Sequence, residues 1–335
     1  MIEVKDVEKR RDVFVDSVRG LGILLVVYFH AVQACNAMDS HNSLHLLVQT
    51  FQMPLFFLIS GYCSNYNEPP KKNSVLRSVK RLLIPYVIWE QIHFFLSVAI
   101  GRCKYSFKNQ LFSLLTSGYW FVRILFLVLL IYYLFFFIRK ITLSKTGNMV
   151  VSTFVGGCAS CLMAFLLSRI PGCESVVPYS AMFLIGNVAL KVRKGFGDRV
   201  IVLICWICFF LFLISCCFYF SVDGSWFFIL DKSMAISGSF FFVTICWILN
   251  YMMGVAHFER IRSHIAKIWT ATLAIYSIHW CLLFDLNTID YHKLLIVDFG
   301  LDLYLSAIIV CSFWLLLCWV SICLFNAVSA RLKKK

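Results

Sequence analysis

Long apolar runs separated by short polar segments dominate the chain. Wound as helices, runs of about 17–25 residues match the hydrocarbon thickness of a bilayer. Ten are present, at 20–38, 44–62, 82–100, 120–138, 149–167, 176–190, 200–220, 234–255, 268–284 and 303–328, the sixth being short. They are unbroken rather than alternating with a period of two, which argues against a transmembrane β-barrel. The pattern predicts an all-α polytopic membrane protein of about ten transmembrane helices, with residues 1–335 forming one integral-membrane domain.

Composition agrees. Of 335 residues 61% are hydrophobic and 14% charged, at a mean hydropathy of +0.82. A soluble domain of this size has no way to bury so much apolar surface, so disordered chains, secreted disulfide scaffolds and cytosolic enzymes are excluded. The formal charge of +14 raises nucleic acid or an acidic membrane face as partner, and the placement of the charges decides. With an even number of spans both termini share one side. Of the 31 basic residues, 24 fall on that side, 6 on the other, and Arg123 lies within a span. This is the positive-inside bias, which puts both termini in the cytoplasm and makes the charge a record of topology, supplemented by contact with anionic lipid headgroups. No nucleic-acid partner is needed. The first 19 residues are mixed-charge and no small-residue cleavage site follows, so the first helix is expected to be an uncleaved anchor.

The 15 cysteines lie mostly within spans, where they act as small apolar residues. Cys158-x-x-Cys161 and Cys205-x-x-Cys208 have redox-like spacing, but each sits in a hydrophobic run without a second ligand pair, so packing is the expected role and no metal is implied. Cys103 and Cys173 both fall on the outer side; whether they pair is open at this point. Segment 63–81 is the most polar and is expected to be a cytoplasmic loop with a functional part. Segment 285–302, with Asp285, Asp290, Asp298 and Asp302, reads as a solvated outer loop.

Charged groups inside spans cost about 2.5–3.5 kcal/mol each on insertion scales, so the few present are functional candidates. Arg19 and His30 are eleven residues apart, which returns to within about 20° of one helix face and sets His30 about 16 Å deeper. Asp16 precedes Arg19 by three positions, suited to orient the guanidinium. Measured from the cytoplasmic starts of their helices, Glu90 lies about 12 Å in, His93 about 16 Å and His279 about 18 Å. Three histidines from three helices are thus expected at one level. Each also has a plainer reading. His93 alone fits a packing role, Glu90 a partner of His93, and Arg19 the charge bias. Arg123, about one turn inside the outer boundary, can snorkel.

Through these residues the sequence resembles the acyltransferase-3 family of integral-membrane O-acyltransferases. Asp16-Ser-Val-Arg19-Gly20 followed by apolar residues to His30 reproduces its Arg-x10-His pattern. Phe51-Gln-Met-Pro-Leu-Phe-Phe-Leu-Ile-Ser-Gly61 is similar to its second-helix signature. Arg77-Ser-Val-Lys80-Arg81 with Ile84-Pro85-Tyr86 resembles the basic loop before its third helix, with Lys80 where Arg is frequent. Tyr119-Trp120-Phe121 resembles the opening of its fourth helix, and Thr270 to His279 its late helix ending in Ile-Tyr-x-x-His. The matches run in order from residue 16 to 279, closest in flavour to fucose 4-O-acetylase-like members.

The resemblance implies transfer of an acyl group, usually acetyl, from cytoplasmic acyl-CoA to a hydroxyl of a cell-surface carbohydrate or lipid-linked sugar, by a multi-pass protein of the inner or plasma membrane. His30 would be the general base, because an imidazole titrating near neutrality can take the proton of an attacking hydroxyl. Arg19, oriented by Asp16, would bind an anionic donor group, and His279 would orient donor or acceptor. Arg77, Lys80 and Arg81 would hold the nucleotide phosphates, with Lys71 and Lys72 weaker choices and positive-inside topology the plainer reading. Glu90, His93, Trp120 and Arg123 are candidates for supporting positions. Alternatives are a secondary transporter or flippase for a polysaccharide precursor, against which the lack of matched Gly/Pro-broken helices in both halves weighs, and a non-enzymatic scaffold. The acceptor sugar, the choice of acetyl over other acyl groups, direct transfer or an acyl-enzyme, and the oligomeric state stay open.

Overall fold

The structure, a computed structural model, describes residues 12–36, 43–64, 73–116, 118–221, 224–255, 268, 271–281 and 289–332. The described residues are helical throughout, without strands: α1 (Val13–Cys35), α2 (Ser43–Tyr62), α3 (Ser74–Ser78), a π-helical turn (Val79–Leu83), α4 (Ile84–Ala99), α5 (Phe107–Thr116), α6 (Trp120–Thr146), α7 (Met149–Leu167), α8 (Val176–Phe196), α9 (Asp198–Phe218), α10 (Ser225–Val255), α11 (Thr272–Trp280), a π-helical segment (His292–Asp298) and α12 (Leu303–Leu332). Eight helices among these residues are long and apolar enough to cross a membrane, α3, the π turn and α4 counting as one continuous span from Ser74 to Ala99. Of the two other expected spans, the sixth is present as α8, whose polar residues dilute it, and the ninth is described over α11.

Several helices begin earlier than the apolar runs. Asp12 accepts from the backbone N–H groups of Phe14 and Val15 at 3.1 and 3.3 Å, capping α1 seven residues before the expected boundary. The span containing Glu90 starts at Ser74, not at 82, so Arg77, Lys80 and Arg81 are helical rather than part of a loop. Sequence patterning missed this because a long helix emerging from a bilayer changes from apolar to basic while its backbone continues unchanged. It also missed the short amphipathic α5.

The helices group into two compact units. The first comprises 1–52, 202–279 and 288–335, the second 53–201 and 280–287. In the first, α1 packs on α12 and α10. A ring cluster fills its interior, with Phe51 on Phe212 (5.3 Å), Phe212 on Phe241 (4.7 Å) and Phe241 on Phe209 (4.9 Å). Gly238 admits the Phe51 and Phe212 side chains against α10, and the Thr244 hydroxyl reaches the Cys205 carbonyl at 3.3 Å. The ring Nδ1 of His292 caps the end of α1 by donating to Cys35 O at 2.9 Å.

In the second unit α6 and α7 form a tight antiparallel hairpin. Gly147 turns the chain at φ +64° and Asn148 caps α7 through Val150 and Val151 N–H. The α4–α6 pairing is antiparallel, since Ser78 meets Tyr133 and Tyr86 meets Arg123. Asn187 of α8 donates to the carbonyls of Gly61 and Ser64 at the end of α2. Six residues on, Arg193 reaches the Tyr62 hydroxyl and, at 2.6 Å, Asp198; Tyr62 first and Asp198 second hold this guanidinium above its ordinary pKa. Cys103 and Cys173 are both free thiols, and burial pushes Cys173 above its ordinary value.

Candidate functional site

The first unit carries the candidate site, built on one long helix. Asp16 is buried within the first turn of α1, Arg19 is half-buried one turn on, and His30 is half-buried near the other end. The separation of about 16 Å between Arg19 and His30 therefore lies along a single, continuous helix.

The His279 ring lies 5.5 Å from that of His30, tilted by 33°. His279 is wholly buried (0% exposed), and its Nδ1 sits 2.8 Å from the Ile275 carbonyl one turn earlier. The Tyr276 ring flanks it at 5.8 Å. The expected meeting of histidines is thus observed for His30 and His279.

His93 belongs to the second unit, where its ring lies 6.1 Å from that of Tyr119. The helix start at Ser74 puts Glu90 about 24 Å and His93 about 28 Å along their helix, twice the depth counted from residue 82 for Glu90. Glu90 is fully buried there. A further buried histidine of the first unit is His45, at 2% exposure in the first turn of α2, whose ring lies 5.9 Å from that of Phe29, the residue before His30. A sequence signal for it exists. The short connection between the first two spans makes them antiparallel neighbours, so a histidine near the start of the second faces the end of the first. Asn250 of α10 was passed over as well, because it carries no charge. It is 8% exposed, and neither of its amide atoms is hydrogen-bonded among the described residues.

Arg123 and Trp120, candidates of the second unit, make extensive packing and hydrogen-bond contacts there. Arg123 is 7% exposed rather than snorkelling: Nη1 donates to Leu114 O at 3.1 Å and Tyr86 Oη at 3.2 Å, and Nη2 to Gly172 O at 2.7 Å. It thereby satisfies a carbonyl in the last turn of α5 and ties that helix to α4 and to the α7–α8 loop. Trp120 stacks on Tyr179 at 5.6 Å, which stacks in turn on Phe57 at 4.2 Å. Arg77, Lys80 and Arg81 are exposed at positions that share one helix face, while Ser78 is buried against the Tyr133 hydroxyl at 2.9 Å. Lys71, Lys72 and Thr270 lie outside the described residues.

An all-helical chain with this many membrane-length helices, and with ionisable side chains gathered within them, defines a multi-pass membrane protein. It belongs to the acyltransferase-3 family: the family's sequence model, described as an acyltransferase domain, matches residues 12–325. No match is found among the curated proteins or the solved structures.

Proposed function

We propose that this membrane acyltransferase moves an acetyl group from cytoplasmic acyl-CoA to a hydroxyl of a cell-surface carbohydrate or lipid-linked sugar, as a protein of the inner or plasma membrane with both termini in the cytoplasm. The observation that carries this reading is the His30–His279 ring pair, 5.5 Å apart, at the far end of the helix that bears Asp16 and Arg19. A hydroxyl is a poor nucleophile at neutral pH. It attacks a thioester carbonyl efficiently only if its proton is removed as the C–O bond forms, and an imidazole of the pair supplies that base. The C–S bond then breaks and CoA leaves as a thiolate. Arg19, beside Asp16, offers a guanidinium fork to an anionic part of the donor, and Arg77, Lys80 and Arg81 offer charges to its phosphates.

Membranes containing the His30→Ala protein at normal abundance should fail to acetylate the acceptor, measured as polymer-bound acetate in cells with and without the active gene. Retention of wild-type acetylation would remove His30 as the base.

A further inference from the structure

Buried polar side chains of α10 fall into two kinds. Ser237, Ser239 and Thr244 each donate to the carbonyl four residues earlier, at 2.8, 2.6 and 2.8 Å, so the helix that carries these hydroxyls also satisfies them. Asn250 is different. It lies on the same buried stripe as Ala235, Ser239 and Cys246, at 8% exposure, and neither its amide nitrogen nor its amide oxygen has a hydrogen-bond partner among the described residues. A buried amide in that state costs stability, and native proteins keep few of them.

Contacts within the first unit give its depth. The Phe29 and His45 rings meet at 5.9 Å beside His30, and the Ser239 hydroxyl lies 3.5 Å from Phe51 O, six residues further along α2. As the second and eighth spans of the chain, α2 and α10 run in one direction, opposite to α1. A rise of 1.5 Å per residue then puts Asn250 about 26 Å from the level of Phe29, and Asp16 about 20 Å from it on the same side. Asn250 is thus about one turn from the level of Asp16, at the end of the unit where α1 begins, and α1 packs on α10. The Trp247 and Tyr251 rings, stacked at 6.2 Å on the exposed side of α10, mark this level as a membrane interface.

We propose that Asn250 is a positioning residue for the acyl donor, its amide hydrogen-bonding the pantetheine arm of acyl-CoA between the nucleotide and the thioester. This rests on the acyl-transfer reading and adds how the arm is held. With the thioester at the histidine pair and the charged phosphates outside the bilayer, the part of the donor that reaches Asn250 is the arm. Its polar groups are a hydroxyl and two amides, which offer the donors and acceptors that a primary amide needs.

Leucine has the branching of asparagine without its polar atoms, and glutamine keeps the amide. Full-length wild-type, Asn250→Leu and Asn250→Gln proteins in detergent are compared by thermal unfolding without ligand, with CoA, and with adenosine bisphosphate, which carries the nucleotide and its phosphates but no arm. Without ligand, Asn250→Leu should unfold at or above the wild-type midpoint, since no hydrogen bond is lost with the amide. Its stabilisation by CoA should fall by an amount equivalent to about three- to tenfold weaker binding, the worth of one neutral hydrogen bond or two, while stabilisation by adenosine bisphosphate is unchanged. Asn250→Gln should bind CoA more tightly than Asn250→Leu. In membranes, Asn250→Leu should raise the KM for acetyl-CoA by the same factor rather than lower kcat. An Asn250→Leu midpoint below wild type without ligand, stabilisation by CoA as strong as in wild type, or an equal loss with adenosine bisphosphate overturns the inference. Wild-type protein that CoA does not stabilise and that transfers no acetyl label would instead overturn the acyl-transfer reading itself.

Discussion

Gly186 of α8 lies against the carbonyl oxygen of Leu58 in α2, and a methyl group on Gly186 would overlap that oxygen. The relation is reciprocal, since a methyl on Gly61 of α2 would overlap the carbonyl oxygen of Phe183 in α8. Where lipid offers no hydrophobic driving force between helices, backbone approach at small residues supplies much of the association. Alanine at Gly61 or Gly186 should therefore lower the thermal midpoint of the solubilised protein sharply, by overpacking worth about 1–3 kcal/mol or more. Gly157 of α7 has open space around it, and Gly157→Ala should leave the midpoint unchanged or raised. Equal effects at the three positions would refute close packing at the α2–α8 crossing.

Arg123 should prove a structural clamp. Lysine keeps the charge but cannot span Leu114 O, Tyr86 Oη and Gly172 O together. Arg123→Lys should cost about 2–3 kcal/mol, the scale of one or two lost bonds to a charged group. Thermal unfolding of the variant in detergent measures it. The fall in activity should track the loss of folded protein, with no change in KM for the donor.

The exposed face of Arg77 and Arg81 gives a donor-specific expectation. Replacing both by glutamine should raise the KM for acetyl-CoA severalfold and leave kcat and abundance near wild type. An unchanged KM would return these residues to the role of orienting the helix by positive-inside topology.

Glu174 brings a pH dependence to the α7–α8 loop. Its carboxylate accepts from the backbone N–H groups of Glu174 and Gly172, which hold its pKa below the ordinary value, with Arg123 adding to the effect. A depressed folded-state pKa favours the native form wherever the carboxylate is ionised in both states. That contribution is fully present above the ordinary carboxylate range, about pH 4.3, and is lost as pH falls through the lower folded value. The difference in thermal midpoint between wild type and Glu174→Gln should accordingly be constant near neutrality and vanish on acidification. A difference that grows in acid would contradict the hydrogen-bonding pattern.

Most helices could be read from the chain, because apolar length in a bilayer is a one-dimensional property. α7 falls at 149–167 as expected, and α2 within one residue of expectation. Boundaries failed where the physics is not apolar length. Asp12 starts α1 by hydrogen bonding to free N–H groups, and the basic residues from Arg77 to Arg81 continue a helix whose apolar signal has stopped. Within the site, the Arg19–His30 stripe was legible because helical periodicity fixes it. The burial of His45 against Phe29, the residue before His30, was not, since a histidine in an apolar helix is placed by packing and not by spacing.

The sequence by itself determined the class of protein, the all-helical architecture and the stripe on α1, all of which follow from local composition and from the fixed rise and turn of a helix. Tertiary structure decided which side chains meet. It put His279 within 5.5 Å of His30, committed Nδ1 of His279 to the Ile275 carbonyl, and withdrew Arg123 from the surface into a clamp. These outcomes depend on helix rotation and neighbour choice, which are set by close packing at contacts such as Gly61 and Gly186 and are not encoded in the apolar pattern of any one segment.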